Sequence, residues 1–451
     1  MSHLNRLYRL FRKLGIEIKN VTGQHTGAHP AIKKSGGIME LLRRGARCEE
    51  RRVDGWLTRE RLVLYSCAAL VLYAVILGVW VYTSHGFSVS GVKRPGIDFS
   101  VFWAASHVML HGAPWQVYDH FAFSKAEVTL FDYFHSGYYM PWLYPPTFLL
   151  AVTPLALLSF PIAYLLFIAG SLLLFTRSVL RVSGLAQWVP GARVGGLIVV
   201  ALPCVFVAAV TGQNALLTAA LAALAVYWVD RNPVRAGLCI GLLMIKPQMA
   251  LLFPFVLIAV RAWRVLAVAA ISAVGFAAVS LLVCGTESLH LFLLNASMAR
   301  EYLLEHGELF WFSSPTVFAA LRVNDVPLLP AYIAHAGVAA VAIAAACQVW
   351  RNTHDVRLRV AILAVATLIA NPYIWHYELA WLGVALACVM AFGLSSGWLR
   401  GEQPILILAW ILPLYEYFNR AMNLPQVGPV VLLLVLSLIL RRARDVSGDQ
   451  S

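Results

Sequence analysis

The chain has 451 residues, of which 60% are hydrophobic and only 13% charged, with a mean hydropathy of +0.73. Soluble domains carry about 45–50% apolar and about 25% charged residues, so a soluble enzyme, a disordered chain and a nucleic-acid binder are all poor readings. The net charge of +13 does not restore the last of these: residues 1–61 alone hold 14 Lys and Arg against 6 Asp and Glu, and a basic arm beside a span marks the cytoplasmic side of a membrane.

Residues 1–60 lack a sustained apolar face. The Gly, Ser, His and Thr of 22–37 predict disorder, and 39–52 predict a short basic surface helix. A largely disordered cytoplasmic arm thus precedes a membrane-embedded domain at 61–443 and a cytoplasmic tail at 444–451. The first apolar run, 62–83, is too long for the core of a cleavable signal and predicts the first span. A mostly polar stretch follows at 84–143. It contains two amphipathic segments, 100–111 and 118–134, of the kind that lie in the membrane interface. Segment 144–158 is short, contains three prolines, and reads as a re-entrant or short helix.

Further apolar runs lie at 160–180, 193–211, 213–230, 234–246, 247–261 and 263–284. After a second polar stretch at 285–326 come 327–350, 357–371, 375–393, 402–418 and 427–441. With the first span these predict an all-α integral membrane bundle of about twelve spans. If 144–158 returns to the side it entered from, 28 Lys and Arg fall on the cytoplasmic side and 7 outside, the bias expected of a multi-pass protein with both termini inside. Both long loops are then external, as are Thr211–Asn214, Lys246–Gln248, Asn371–Glu378 and 415–426. The seven cysteines show no CxxC and no Cys/His metal spacing, and neither a cofactor nor a metal is indicated.

Candidate residues cluster on that external side. Asp98, in GIDFSVFW, suits a general base raised in pKa by burial, or equally the N-cap of the following helix. Lys246 stands between two apolar runs, where a lysine usually has a partner; it reads as an anion ligand or as a snorkelling side chain. Gln213 and Asn214 open an apolar run and either cap it or bind a sugar hydroxyl. His376 and Glu378 lie in an aromatic cluster that an interfacial belt would explain without them. In the second loop the glutamates read as a solvated face, whereas Arg322 follows an amphipathic stretch and is placed to hold a phosphate.

Taken in order, these clusters resemble glycosyltransferase family 87, polytopic enzymes that use polyprenyl-phosphate sugars, many of them α-1,2-mannosyltransferase-like. The resemblance runs from Ile97 to the last span. It is carried by DFSVFWAASHVMLHGAPWQVYD (Asp98 to Asp119), Tyr144-Pro-Pro, Gly212-Gln-Asn, Lys246-Pro and Asn371-Pro-Tyr-Ile-Trp-His. In the last of these the family's Ser is Asn371 and the His spacing is shorter; residues 1–60 have no counterpart. The resemblance implies a GT-C fold in a bacterial inner membrane, with an external (periplasmic) site. It implies a polyprenyl-phosphate sugar donor, a glycan or glycolipid acceptor, and inversion at the anomeric carbon. Asp98 is then the base, Lys246 and Arg322 hold the donor phosphate, and Asp119, Tyr144, Gln213, Asn214, Gln248 and His376 contact substrate. A transporter or flippase of lipid-linked sugars would instead show paired repeats or charges deep in several spans, and a non-catalytic assembly partner would tolerate loss of Asp98.

Overall fold

The computed structural model describes residues 52–53, 55–87, 94–134 and 139–448. The disorder expected at 22–37 lies outside the described residues, as does the basic helix expected at 39–52 except for Arg52, which is in a strand. Arg52–Val53 (β1) pairs antiparallel with Trp398–Leu399 (β2). The first span is Arg59–Thr83 (α1), opened by Thr58, whose side chain accepts from Arg61 N. Leu64, Val71, Val75 and Tyr82 on it are more than 40% exposed. Such a surface suits lipid, whereas in water it would be an aggregation liability.

The first polar stretch folds as Ile97–His111 (α2) and His120–Leu130 (α3), each close to its predicted position. Pro146–Val152 (α4) runs into a 3-10 turn at Thr153–Leu157. Pro146–Leu157 in all is too short to cross a bilayer, which takes about 20 helical residues.

Next come Phe160–Ser183 (α5), Gly191–Val200 (α6), Pro203–Thr211 (α7), Ala215–Trp228 (α8), Pro233–Leu242 (α9) and Leu252–Ala259 (α10). Trp263–Ala299 (α11) is broken at Gly285, where φ is +80°; this is where the sequence places the end of an apolar run. Glu308–Trp311 (α12) and Val317–Val323 (α13) lie in the second polar stretch. Leu328–Asn352 (α14), Val356–Ala370 (α15), Ala380–Ser396 (α16), Glu402–Met422 (α17) and Gly428–Gly448 (α18) complete the chain. The predicted cytoplasmic tail is thus helical as far as Gly448.

The expected dozen spans are not found. Among the described residues five helices are long and apolar enough to cross, or six if α6 and α7, bent by 62°, count as one. The difference has a local cause. Gly212, Asn232-Pro233, Lys246-Pro247 and Arg261 interrupt the middle of the chain, so α8, with 14 residues, α9, with 10, and α10, with 8, are each shorter than a bilayer requires. Such segments are tolerated at membrane depth where protein covers them. All of α15 from Leu358 onward is buried, as is α16 from Ala380 to Gly393. Helices apolar all round belong in the centre, and these two form the core against α5, α8 and α18. Cys204, Cys284 and Cys388 are buried and free, while Cys67 is exposed.

Candidate active site

Two glycine turns bring the first polar stretch to the bundle. Gly96, before α2, and Gly212, after α7, both take left-handed backbone, φ +80° and +82°. Gly96 N donates to Val210 O at 2.7 Å. A Cβ on Gly212 would lie 2.6 Å from Phe99 Cβ, so only glycine allows this approach. Its result is that Gln213, at the start of one helix, meets Asp98, at the start of another: Gln213 Nε2 donates to Asp98 Oδ2 at 2.8 Å. Gln213 Oε1 accepts from the Tyr144 hydroxyl at 2.9 Å, which orients the amide with its nitrogen toward the carboxylate.

Asp98 is not a helix cap. The cap residue of α2 is Gly96, which has no side chain, and Asp98 lies in the first helical turn, where the helix dipole favours a negative charge. Burial nevertheless pushes its carboxyl up to about 6; Gln213 and the charges of Lys246 and Arg420 pull it down, and Glu378 adds to the rise. Beyond Gln213 it has no hydrogen-bond partner among the described residues, so the second carboxylate oxygen remains open to the cavity.

Lys246 does not snorkel. It is buried and ion-paired with Glu378, itself buried. Its ammonium also reaches Asn214 Oδ1 at 3.5 Å and lies over the rings of Tyr144 and Tyr377 at 5.5 and 5.1 Å. Glu378 is held from behind by Trp375 N, 2.7 Å from Oε2. The surrounding turns are tied together by backbone acceptors. Thr147 Oγ1 donates to Met244 O at 2.6 Å, fixing the Tyr-Pro-Pro turn against the turn before Lys246. Asn371 Nδ2 donates to Gln248 O at 3.1 Å, fixing the late motif against Lys246-Pro-Gln. Asn214 precedes α8 but makes no side-chain cap bond.

These segments enclose a cavity of about 700 Å³. Asp98, Tyr144, Gln213, Lys246, Gln248 and His376 all line it. His376 is 7% exposed, set edge-on to the rings of Tyr377 and Tyr417, and neither ring nitrogen has a hydrogen-bond partner. Buried polar atoms in folded proteins are nearly always satisfied, and here both unpartnered nitrogens belong to a residue that lines the cavity. Among the described residues no group of three or more His, Cys, Asp or Glu is placed to hold a metal.

Three predicted residues do not line the cavity. Asn214 is fully buried, with its side-chain oxygen toward the Lys246 ammonium. Asp119 is the N-cap of α3, its Oδ1 accepting from Ala122 N at 2.7 Å. Arg322 is engaged within the second polar stretch. Its guanidinium donates to Val326 O at 2.8 Å and Glu305 O at 3.1 Å and lies over the Trp311 ring. Conversely, Arg94 and Arg420 line the cavity although neither is singled out by the sequence. Glu378 was recoverable in principle: a lysine at membrane depth needs a carboxylate partner, and Glu378 is the acidic residue of the late motif.

The model of glycosyltransferase family 87 matches residues 142–372, just over half of the chain. The chain belongs to glycosyltransferase family 87. The family match carries Tyr144, Gln213, Lys246 and Gln248 of the cavity, and begins and ends inside the stretch predicted from the ordered motifs, so Asp98 and His376 flank it. No curated protein and no solved structure matches the chain. Family membership makes this a membrane glycosyltransferase, with a sugar donor and an acceptor as its substrates.

Proposed function

We propose that the protein moves a hexose, mannose-like, from a polyprenyl-phosphate donor to a hydroxyl of a glycan or glycolipid acceptor, with inversion, on a GT-C-type scaffold. The observation that carries this reading is Asp98: one oxygen fixed by Gln213, the other open to the cavity, and a carboxyl held near 6 by burial. A base of that pKa is ionised at neutral pH and still strong enough to accept a proton as the bond forms. Asp98 takes the acceptor proton while the sugar carbon is attacked from the face opposite the phosphate. The phosphate leaves with the electrons of the glycosidic bond. His376, Tyr144 and Gln248 line the same cavity as sugar or phosphate contacts, and Lys246 adds a donor there.

The donor tail would lie among apolar spans in a bacterial inner membrane. The arginine distribution supports a topology with the termini in the cytoplasm and the cavity outside. The test is transfer from labelled polyprenyl-phosphate hexoses in membranes containing the protein. Transfer that depends on Asp98 supports the reading; no transfer from any such donor, by a folded protein with acceptor lipid extract present, overturns it.

A further inference from the structure

Resting on that reading, we propose that Arg420 is the residue whose charge holds the donor phosphate. Three cations line the cavity: Arg94, Lys246 and Arg420. Arg94 Nη2 is 2.6 Å from Asp132 Oδ2. Lys246 is paired with Glu378 in the interior. Each of these keeps hydrogen-bond donors but brings a carboxylate that repels an incoming anion. Arg420 alone of the three has no carboxylate partner among the described residues; its guanidinium is held over the Phe310 ring at 4.8 Å. A cation over a ring face keeps its charge available, and a guanidinium offers a fork of donors that matches phosphate.

The setting agrees with this role. Arg420 lies on the same face of α17 as Tyr417, three residues earlier, and Tyr417 touches the His376 ring at 5.3 Å. His376, whose ring nitrogens have no hydrogen-bond partner, and Arg420 line the same cavity. Arg420 also acts electrostatically on Asp98, so base and anion site share one cavity without touching. Charge developing on the leaving phosphate would be met by Arg420, and the Lys246–Glu378 pair would serve as a neutral floor.

The test uses full-length protein in detergent, with undecaprenyl phosphate as the charged probe and undecaprenol as its uncharged counterpart. Arg420→Gln should weaken undecaprenyl phosphate binding about 10–100-fold, the worth of a charge-assisted contact, and leave undecaprenol binding unchanged. Arg420→Lys should recover part of the loss. Wild-type binding of undecaprenyl phosphate by a folded Arg420→Gln variant overturns the proposal and leaves the proposed reaction standing. Equal loss of both ligands also overturns it, since that reports a packing role. A wild-type protein that prefers undecaprenol, or binds neither, overturns the donor class itself.

Discussion

At the start of α15, Arg359 spends its whole guanidinium on neighbours: it donates to Asp230 Oδ2 at 2.8 Å, Thr353 O at 2.7 Å and Trp350 O at 2.9 Å. Nearby, Arg231 and Arg235 lie over Tyr227 and Trp228, and Asp355 and Asn232 cap their helices. At the other end of the same helix the chain enters the late motif, where both nitrogens of His376 are unpartnered, as is Asn214 Nδ2 in the interior beside Lys246, and Asp98 has an open oxygen. Both ends are polar and rich in buried groups. The arginine end is finished, its donors consumed by carbonyls, carboxylates and rings; the cavity end is left open where a substrate would complete it.

Mutation should separate the two. The largest effect is expected from Asp98→Asn, with turnover falling about 10²–10⁴-fold, the usual worth of a general base. The fold should survive, because Gly96 provides the helix cap and Asn can still accept from Gln213. Wild-type turnover by purified Asp98→Asn would remove the base. The same carboxyl should give the wild-type rate an acid limb: below about pH 6, the value to which burial raises Asp98, kcat/KM should drop about tenfold per pH unit as the base is protonated. A rate flat to pH 5 would contradict it.

Glu378→Ala is next. It strands the Lys246 ammonium in the interior, which typically costs about 3–5 kcal/mol, read as a lowered thermal midpoint in detergent. Adding Lys246→Met should recover most of the loss; a single variant as stable as wild type would show that the pair carries no stability. Arg359→Ala should cost less, about 1–3 kcal/mol for bare carbonyl acceptors, since Asp230 keeps contact with water. Activity per folded molecule should be unchanged, and a specific loss of donor binding would break the division between the ends.

The last test reads a pH slope and concerns Glu127 on α3. It is fully buried, its Oε2 accepts from Met140 N at 2.9 Å, and burial pushes its carboxyl from 4.5 up to about 8. The folded state therefore holds a proton that the unfolded state gives up between those values, and stability declines as pH rises through that window. Glu127→Gln keeps an acceptor for Met140 N and should flatten the decline. An identical pH dependence in both proteins would rule Glu127 out as its source.

Composition by itself determined that this is a helical membrane protein, because 13% charge cannot cover the surface of a soluble chain of this length. Local signals also placed the elements that have local causes: the breaks at Gly212, Pro247 and Gly285, and the polar stretches around Asp98 and Arg300. Hydropathy could not tell a span from a short buried helix, since both are apolar, and it counted α8, α9 and α10 as crossings. The ordered motifs named most of the cavity residues, but their partners lie far along the chain. Gln213 meets Asp98 across 115 positions and Glu378 meets Lys246 across 132. Which donor faces which carboxylate depends on two glycine turns touching and on helices closing around them. Only the tertiary structure decided that Asp119 caps a helix, that Arg322 is spent within its own loop, and that Arg420 reaches the cavity with its charge unpaired.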